Sequence, residues 1–72
     1  MTTIDAVKIG QKVRAERTKR FLTQNALAGK ADISQKQLSK IENDDVEPRF
    51  STILKLADAL GIEPERFLEE GA

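Results

Sequence analysis

The chain has 72 residues, and its 12 Lys/Arg are balanced by 12 Asp/Glu. With no cysteine and no histidine, a disulfide framework, a zinc finger and a Cys- or His-based catalytic centre are excluded. No apolar run approaches the roughly 20 residues of a bilayer span, and MTTIDAVKIG lacks the charged-then-apolar layout of a signal peptide. These features predict one small soluble domain over 1–72, cytoplasmic, with no membrane association, cofactor or metal. The charge is unevenly spread. Residues 1–41 hold nine bases against three acids, and residues 42–72 hold nine acids against three bases. A cationic face and an anionic end are therefore expected.

Helical spacing runs through the whole chain, and no stretch alternates long enough for a strand. The first helix is predicted over about 5–20, with Ile9, Val13 and the stem of Arg17 on one face. Thr23 is placed to cap a second helix over 24–31, whose apolar stripe is Leu27, Ala28 and Ala31. Ser34 caps a third over 35–42, where Leu38 and Ile41 point inward. Pro48 breaks the chain before a fourth helix over 50–60, in which Ile53, Leu56, Ala57 and Leu60 recur at helical intervals. Gly61 ends it by supplying a left-handed residue, and Pro64 opens a last short helix over 64–69 that carries Phe67 and Leu68. Leu54, Ile62, Phe67 and Leu68 read as core rather than as contacts to a cofactor.

Thr23-Gln24 and Ser34-Gln35 repeat one pattern, a capping hydroxyl followed by glutamine. Two caps this close leave only a few residues around Asp32-Ile33 to link the helices, which forces a steep crossing. The third helix then presents Gln35, Lys36, Ser39 and Lys40 outward, with Asn43 at its end and no acid among them. Glutamine can pair with adenine and lysine with guanine along the major groove. Gln24 lies at a helix N-terminus, where backbone N–H groups favour a phosphate.

The segments LTQ (22–24), LA-x-KA (27–31), ISQ (33–35), LSKIEN (38–43), Pro48 and LKLADALGI (54–62) occur in order. Over residues 4–68 the chain resembles the Cro/repressor-type helix-turn-helix family, also called the xenobiotic-response-element family. The resemblance implies an all-α, compact five-helix bundle of lambda-repressor-like type, with the second and third helices as the DNA-reading unit. It assigns base contacts to Gln35, Lys36, Ser39 and Lys40, and phosphate contacts to Thr23, Gln24, Asn43 and Arg49. It also implies an ion pair between Arg17 and Glu42, which fits a carboxylate next to Ile41 on a packed helix. The family's usual glycines after the first three helices are replaced by Phe21, Asp32 and Asp44. Phe21 therefore implies strain or a differently built turn. Arg49 takes the usual cap position of the fourth helix, so Ser51 is a candidate cap. The loop 44–47 is acidic where relatives carry bases, which predicts a weaker non-specific grip on DNA and a shallower salt dependence.

The function expected from this reading is sequence-specific binding of double-stranded DNA by a transcriptional regulator that is not an enzyme. One such unit reads only a few base pairs, so a homodimer on a roughly palindromic operator is expected, with no small-molecule ligand. Ile62, Phe67 and Leu68 are the expected dimer surface. The alternative is a bridging or antitoxin-type protein-interaction module, which has no need of an acid-free amide and lysine stripe.

Overall fold

A computed structural model describes residues 9–68. Five helices follow in order: α1 (Ile9–Lys19), α2 (Gln24–Ala31), α3 (Gln35–Glu42), α4 (Phe50–Leu60) and α5 (Glu65–Leu68). Among the described residues there is no strand, and no helix is long and apolar enough to cross a membrane. The all-α, five-helix fold follows from the spacing of apolar residues. The stretch 5–8, where the first helix was expected to begin, and residue 69 lie outside the described residues. Pro64 stands just before α5 rather than inside it.

Side chains start the two helices of the central pair. Thr23 Oγ1 accepts from the Ala26 N–H and Ser34 Oγ from the Gln37 N–H, both at 3.0 Å. Each hydroxyl satisfies a backbone donor that the first helical turn leaves free. α4 begins differently. Arg49 is its N-cap and provides no side-chain cap, and Ser51 already lies within the helix. The expectation that Ser51 caps α4 is thus corrected: a residue inside the first turn has helical backbone and cannot reach back over its own N–H groups.

Four helices end in one way. The N–H groups of Leu22, Ile33, Asp45 and Ile62 donate to the carbonyls of Arg17, Ala28, Lys40 and Ala57, five residues back, at 2.9–3.2 Å. The residue before each donor has positive φ: Phe21 at 56°, Asp32 and Asp44 at 61°, and Gly61 at 73°. This closure suits glycine. At Asp32 and Asp44 a short polar side chain tolerates it, whereas at Phe21 the left-handed conformation costs roughly 1–2 kcal/mol. The turn after α1 is therefore the ordinary one, built with a strained residue.

The core is formed by Val13 of α1, Leu27, Ala28 and Ala31 of α2, Leu38 and Ile41 of α3, Ile53, Leu56, Ala57 and Leu60 of α4, and Phe67 of α5. Ile9, Leu22, Ile33 and Ile62 pack on it half-buried. Two expectations change here. Phe67 is fully buried, so it cannot serve a dimer surface: burying a side chain of this size contributes about 1.5–3 kcal/mol, and the small core takes it whole. Leu54, expected in the core, is 42% exposed, beside Phe50 on the outer side of α4.

α1 crosses α3 at a glycine. A Cβ on Gly10 would overlap the Ile41 carbonyl oxygen and press on Asp44 Oδ1 at 2.7 Å. Backbone cannot move aside as a flexible side chain can, so only glycine fits this crossing. At Gly29, by contrast, a Cβ meets nothing within 4 Å. Gly29→Ala should therefore stabilise the domain by about 0.5–1 kcal/mol, and Gly10→Ala should destabilise it by more than about 2 kcal/mol through forced separation of α1 from α3. Urea unfolding followed by circular dichroism checks both; equal midpoints for the two variants would refute the crossing.

Candidate nucleic-acid interface

The outward surface of α3 follows from what the helix buries. Leu38, Ile41 and Glu42 are buried, and at about 100° per residue the direction opposite them is held by Lys36 and Lys40. Ser39 and Gln35 flank that line on one side and Gln37 on the other. Gln35, Lys36, Gln37 and Lys40 are exposed and Ser39 is half-buried. No acid stands on this face. Gln37 joins the residues expected on this face: its backbone N–H serves the Ser34 cap, and its side chain is free of that role.

A groove of about 490 Å³ lies beside this face, between α3 and the start of α4. Lys36, Gln37 and Lys40 form one wall, and Val46, Glu47 and Arg49 the other. The α4 N-terminus opens near Arg49 without a side-chain cap, so its first N–H groups remain available to an acceptor. Asn43, expected at a phosphate, is exposed and caps the end of α3 through its own N–H to the Ser39 carbonyl at 3.0 Å.

The angle between the helices is held from beneath. Glu42 is 4% exposed and takes three hydrogen bonds. Arg17 donates through Nε to Oε2 at 2.7 Å and through Nη2 to Oε1 at 2.9 Å. Gln24 Nε2 donates to Oε1 at 3.0 Å. Arg17 Nη1 donates in addition to the Leu22 carbonyl at 2.7 Å. One carboxylate thus ties α1 and the first residue of α2 to the end of α3, and Arg17 extends the tie to the turn after α1. The fork geometry matches both oxygens at once and fills a buried charge that would otherwise be costly. The hydrogen-bonded Glu42 carboxylate raises the Arg17 guanidinium above its already high ordinary value, against the opposing effect of burial.

Gln24 is therefore not placed as expected. Its amide nitrogen turns inward to the buried carboxylate instead of standing free for a phosphate, because an unfilled lone pair inside costs more than a solvated amide at a helix mouth. A buried glutamate needing more donors than one arginine supplies was the available signal, but nothing local to Thr23-Gln24 named its partner eighteen residues away. Thr23 remains exposed at the α2 mouth.

A second ionic cluster fastens the far side of α1. Glu16 accepts from Arg20 Nη1 at 2.8 Å, Lys19 Nζ at 3.3 Å and, from α5, Arg66 Nη2 at 3.5 Å. The Arg20 guanidinium, opposed by burial and helped by Lys19 and Arg66, holds the Glu16 carboxyl below its ordinary range.

The helix-turn-helix family matches residues 13–67, which include α2, the short turn and α3 with their two hydroxyl caps. The chain belongs to the Cro/repressor-type helix-turn-helix family. It is 42% identical over 62 residues to the immunity repressor protein of Bacillus phage phi105, a match that covers 86% of this chain and 43% of the repressor. The chain spans less than half the length of the curated relatives it matches. Among solved structures it is similar to the restriction-modification controller protein C.AhdI from Aeromonas hydrophila, with a TM-score of 0.83 and 35% identity over 90% of this chain and 98% of that one. It is similar also to the P22 c2 repressor in complex with a synthetic operator, with a TM-score of 0.79 and 30% identity over 88% of this chain and 96% of that one. The family points to a DNA-binding regulator rather than an enzyme.

In this helix-turn-helix chain, Glu42→Gln removes the charge that Arg17 and Gln24 converge on. Loss of one partner of a buried pair leaves the other uncompensated, so stability should fall by about 3 kcal/mol and the thermal midpoint by more than about 10 °C. An unmoved midpoint in a calorimetric scan would mean that the three bonds carry no net stability.

Proposed function

We propose that this chain is a sequence-specific transcriptional regulator that binds double-stranded DNA as a homodimer, on an approximately palindromic operator, in the cytoplasm. The observation that carries this reading is the acid-free outer face of α3, raised on a helix pair that a buried carboxylate holds at one angle. α3 enters the major groove. Gln35 pairs with adenine and Lys36 and Lys40 donate to guanine, while Ser39, half-buried, touches a base edge from the side. Thr23, Asn43 and Arg49 hold phosphates, with the open N-terminus of α4 assisting Arg49. Gln24 acts through Glu42 by keeping α2 and α3 in register. The likeness to a repressor solved with its operator supports this placement.

The dimer surface in this reading moves from Phe67 to the apolar residues that remain outside. Leu54 and Leu68 are 42% and 45% exposed on α4 and α5, and Ile62 is half-buried in the link between those helices. The exposed acids Asp44, Asp45 and Glu47 favour a second reading, a bridging module for a basic protein. Selection of bound duplexes from a random pool at low salt separates the two, since a bridging module would enrich no sequence.

Two outcomes are expected. Gln35→Ala and Lys36→Ala should each lose about 1–3 kcal/mol against the selected operator, with the loss confined to particular base pairs; a uniform loss across all duplexes would assign these residues to the backbone. Leu54→Glu should weaken self-association and operator affinity together, and an unaltered sedimentation coefficient would rule out the α4 surface.

A further inference from the structure

Phe21 bears two costs that nothing among the described residues offsets. Its backbone is left-handed at φ 56°, a conformation in which a bulky residue is strained, and its ring is 95% exposed. The turn it closes has no use for a phenyl group: the Leu22 N–H to Arg17 carbonyl bond at 3.2 Å would form equally with glycine, which is the favoured residue there. Strain of this kind points to a role outside folding.

The surroundings indicate what covers the ring. Leu22 is turned into the core, and Lys19 and Arg20 precede Phe21 with side chains 60% and 34% exposed. Thr23 follows two residues later as the cap of α2. An apolar protein surface would need apolar neighbours around the ring, whereas the exposed residues next to it in the chain are Lys19 and Arg20, both shared with Glu16, and the Thr23 hydroxyl. A polyanion with apolar faces between its charges suits this setting better. Deoxyribose carbons lie between the phosphates of each DNA strand, within reach of an aromatic residue next to a phosphate-binding helix mouth.

We propose that Phe21 is part of the DNA-binding surface and packs on the sugar of a nucleotide whose phosphate Thr23 holds at the α2 N-terminus; this rests on the DNA-binding reading above. The contact is apolar and releases no counterion, so it adds affinity without steepening the dependence on salt. It is also indifferent to base identity. It compensates in part for the acidic 44–47 loop, which withholds cationic grip elsewhere.

The test compares the full chain with Phe21→Gly and Phe21→Tyr on a selected operator duplex and on a random duplex, by fluorescence anisotropy over a series of salt concentrations. Phe21→Gly should raise the thermal midpoint by several degrees and weaken binding to both duplexes by about five- to tenfold for each bound protomer, the worth of one buried ring face. The slope of log affinity on log salt should stay the same, and Phe21→Tyr should bind like the parent. Undiminished binding by Phe21→Gly would overturn the proposal. So would a loss that sedimentation traces to a dissociated dimer, which would place the ring between copies of the chain. A parent protein that binds no duplex at all would overturn the DNA-binding reading itself, before any variant is compared.

Discussion

The Glu42 carboxylate is the point on which the fold and its use both turn. It sits at the end of α3, out of water, and the donors that make its burial tolerable come from α1 and α2. Neither α1 nor α3 can shift alone without stranding a charge, and a shift of α2 removes one of the three bonds to the carboxylate. Short helices have little intrinsic stability of their own, so the orientation of an eight-residue helix such as α3 must come from such long-range ties and from packing. The Gly10 crossing adds a steric limit to the electrostatic one: α1 approaches the α3 backbone as closely as backbone allows, at the same end of α3 that carries Glu42.

The surface built on this frame is uneven in character. The outer face of α3 carries amides and ammonium groups, whereas the turn that follows carries Asp44, Asp45 and Glu47. Repulsion between those acids and phosphates lowers affinity for DNA of any sequence. In the proposed reading, a larger share of the affinity that remains rests on base edges. The turns show a similar exchange. Of the four residues that end helices in the left-handed region, Gly61 alone is free of steric cost. Phe21, the most strained, is also the most exposed large apolar residue described. Stability given up at surface positions is a common mark of residues kept for contact with something else.

Much of this organisation could be read from the residues before any coordinates. The helices α2, α3 and α4 lie where apolar spacing and the Thr23 and Ser34 caps put them, because those signals act within one or two turns. The exposure of Gln35, Lys36 and Lys40 follows from the same periodicity, since knowing which residues are buried determines which are not. Interactions across the chain were less accessible. That Gln24 serves Glu42 depends on the distance between two helices, which no local pattern encodes. For Phe67 the composition leaves core and dimer surface both open, and a single turn, α5, decides it by folding the ring completely inside. The need for glycine at position 10 has no local signal, because the Ile41 carbonyl it faces belongs to another helix.

In the proposed reading, the outer face of α3 reads bases in the major groove while Glu42 holds the helix at its angle. Methylation interference on duplexes selected by the protein tests it most directly, because methyl groups at guanine N7 block the major groove alone and those at adenine N3 the minor. The account predicts that N7 methylation at a few guanines, arranged symmetrically in two half-sites about one helical turn apart, abolishes binding, and that Lys36→Ala removes the interference at a subset of them. Interference from adenine N3 methylation alone, or from none of the purines, would contradict it.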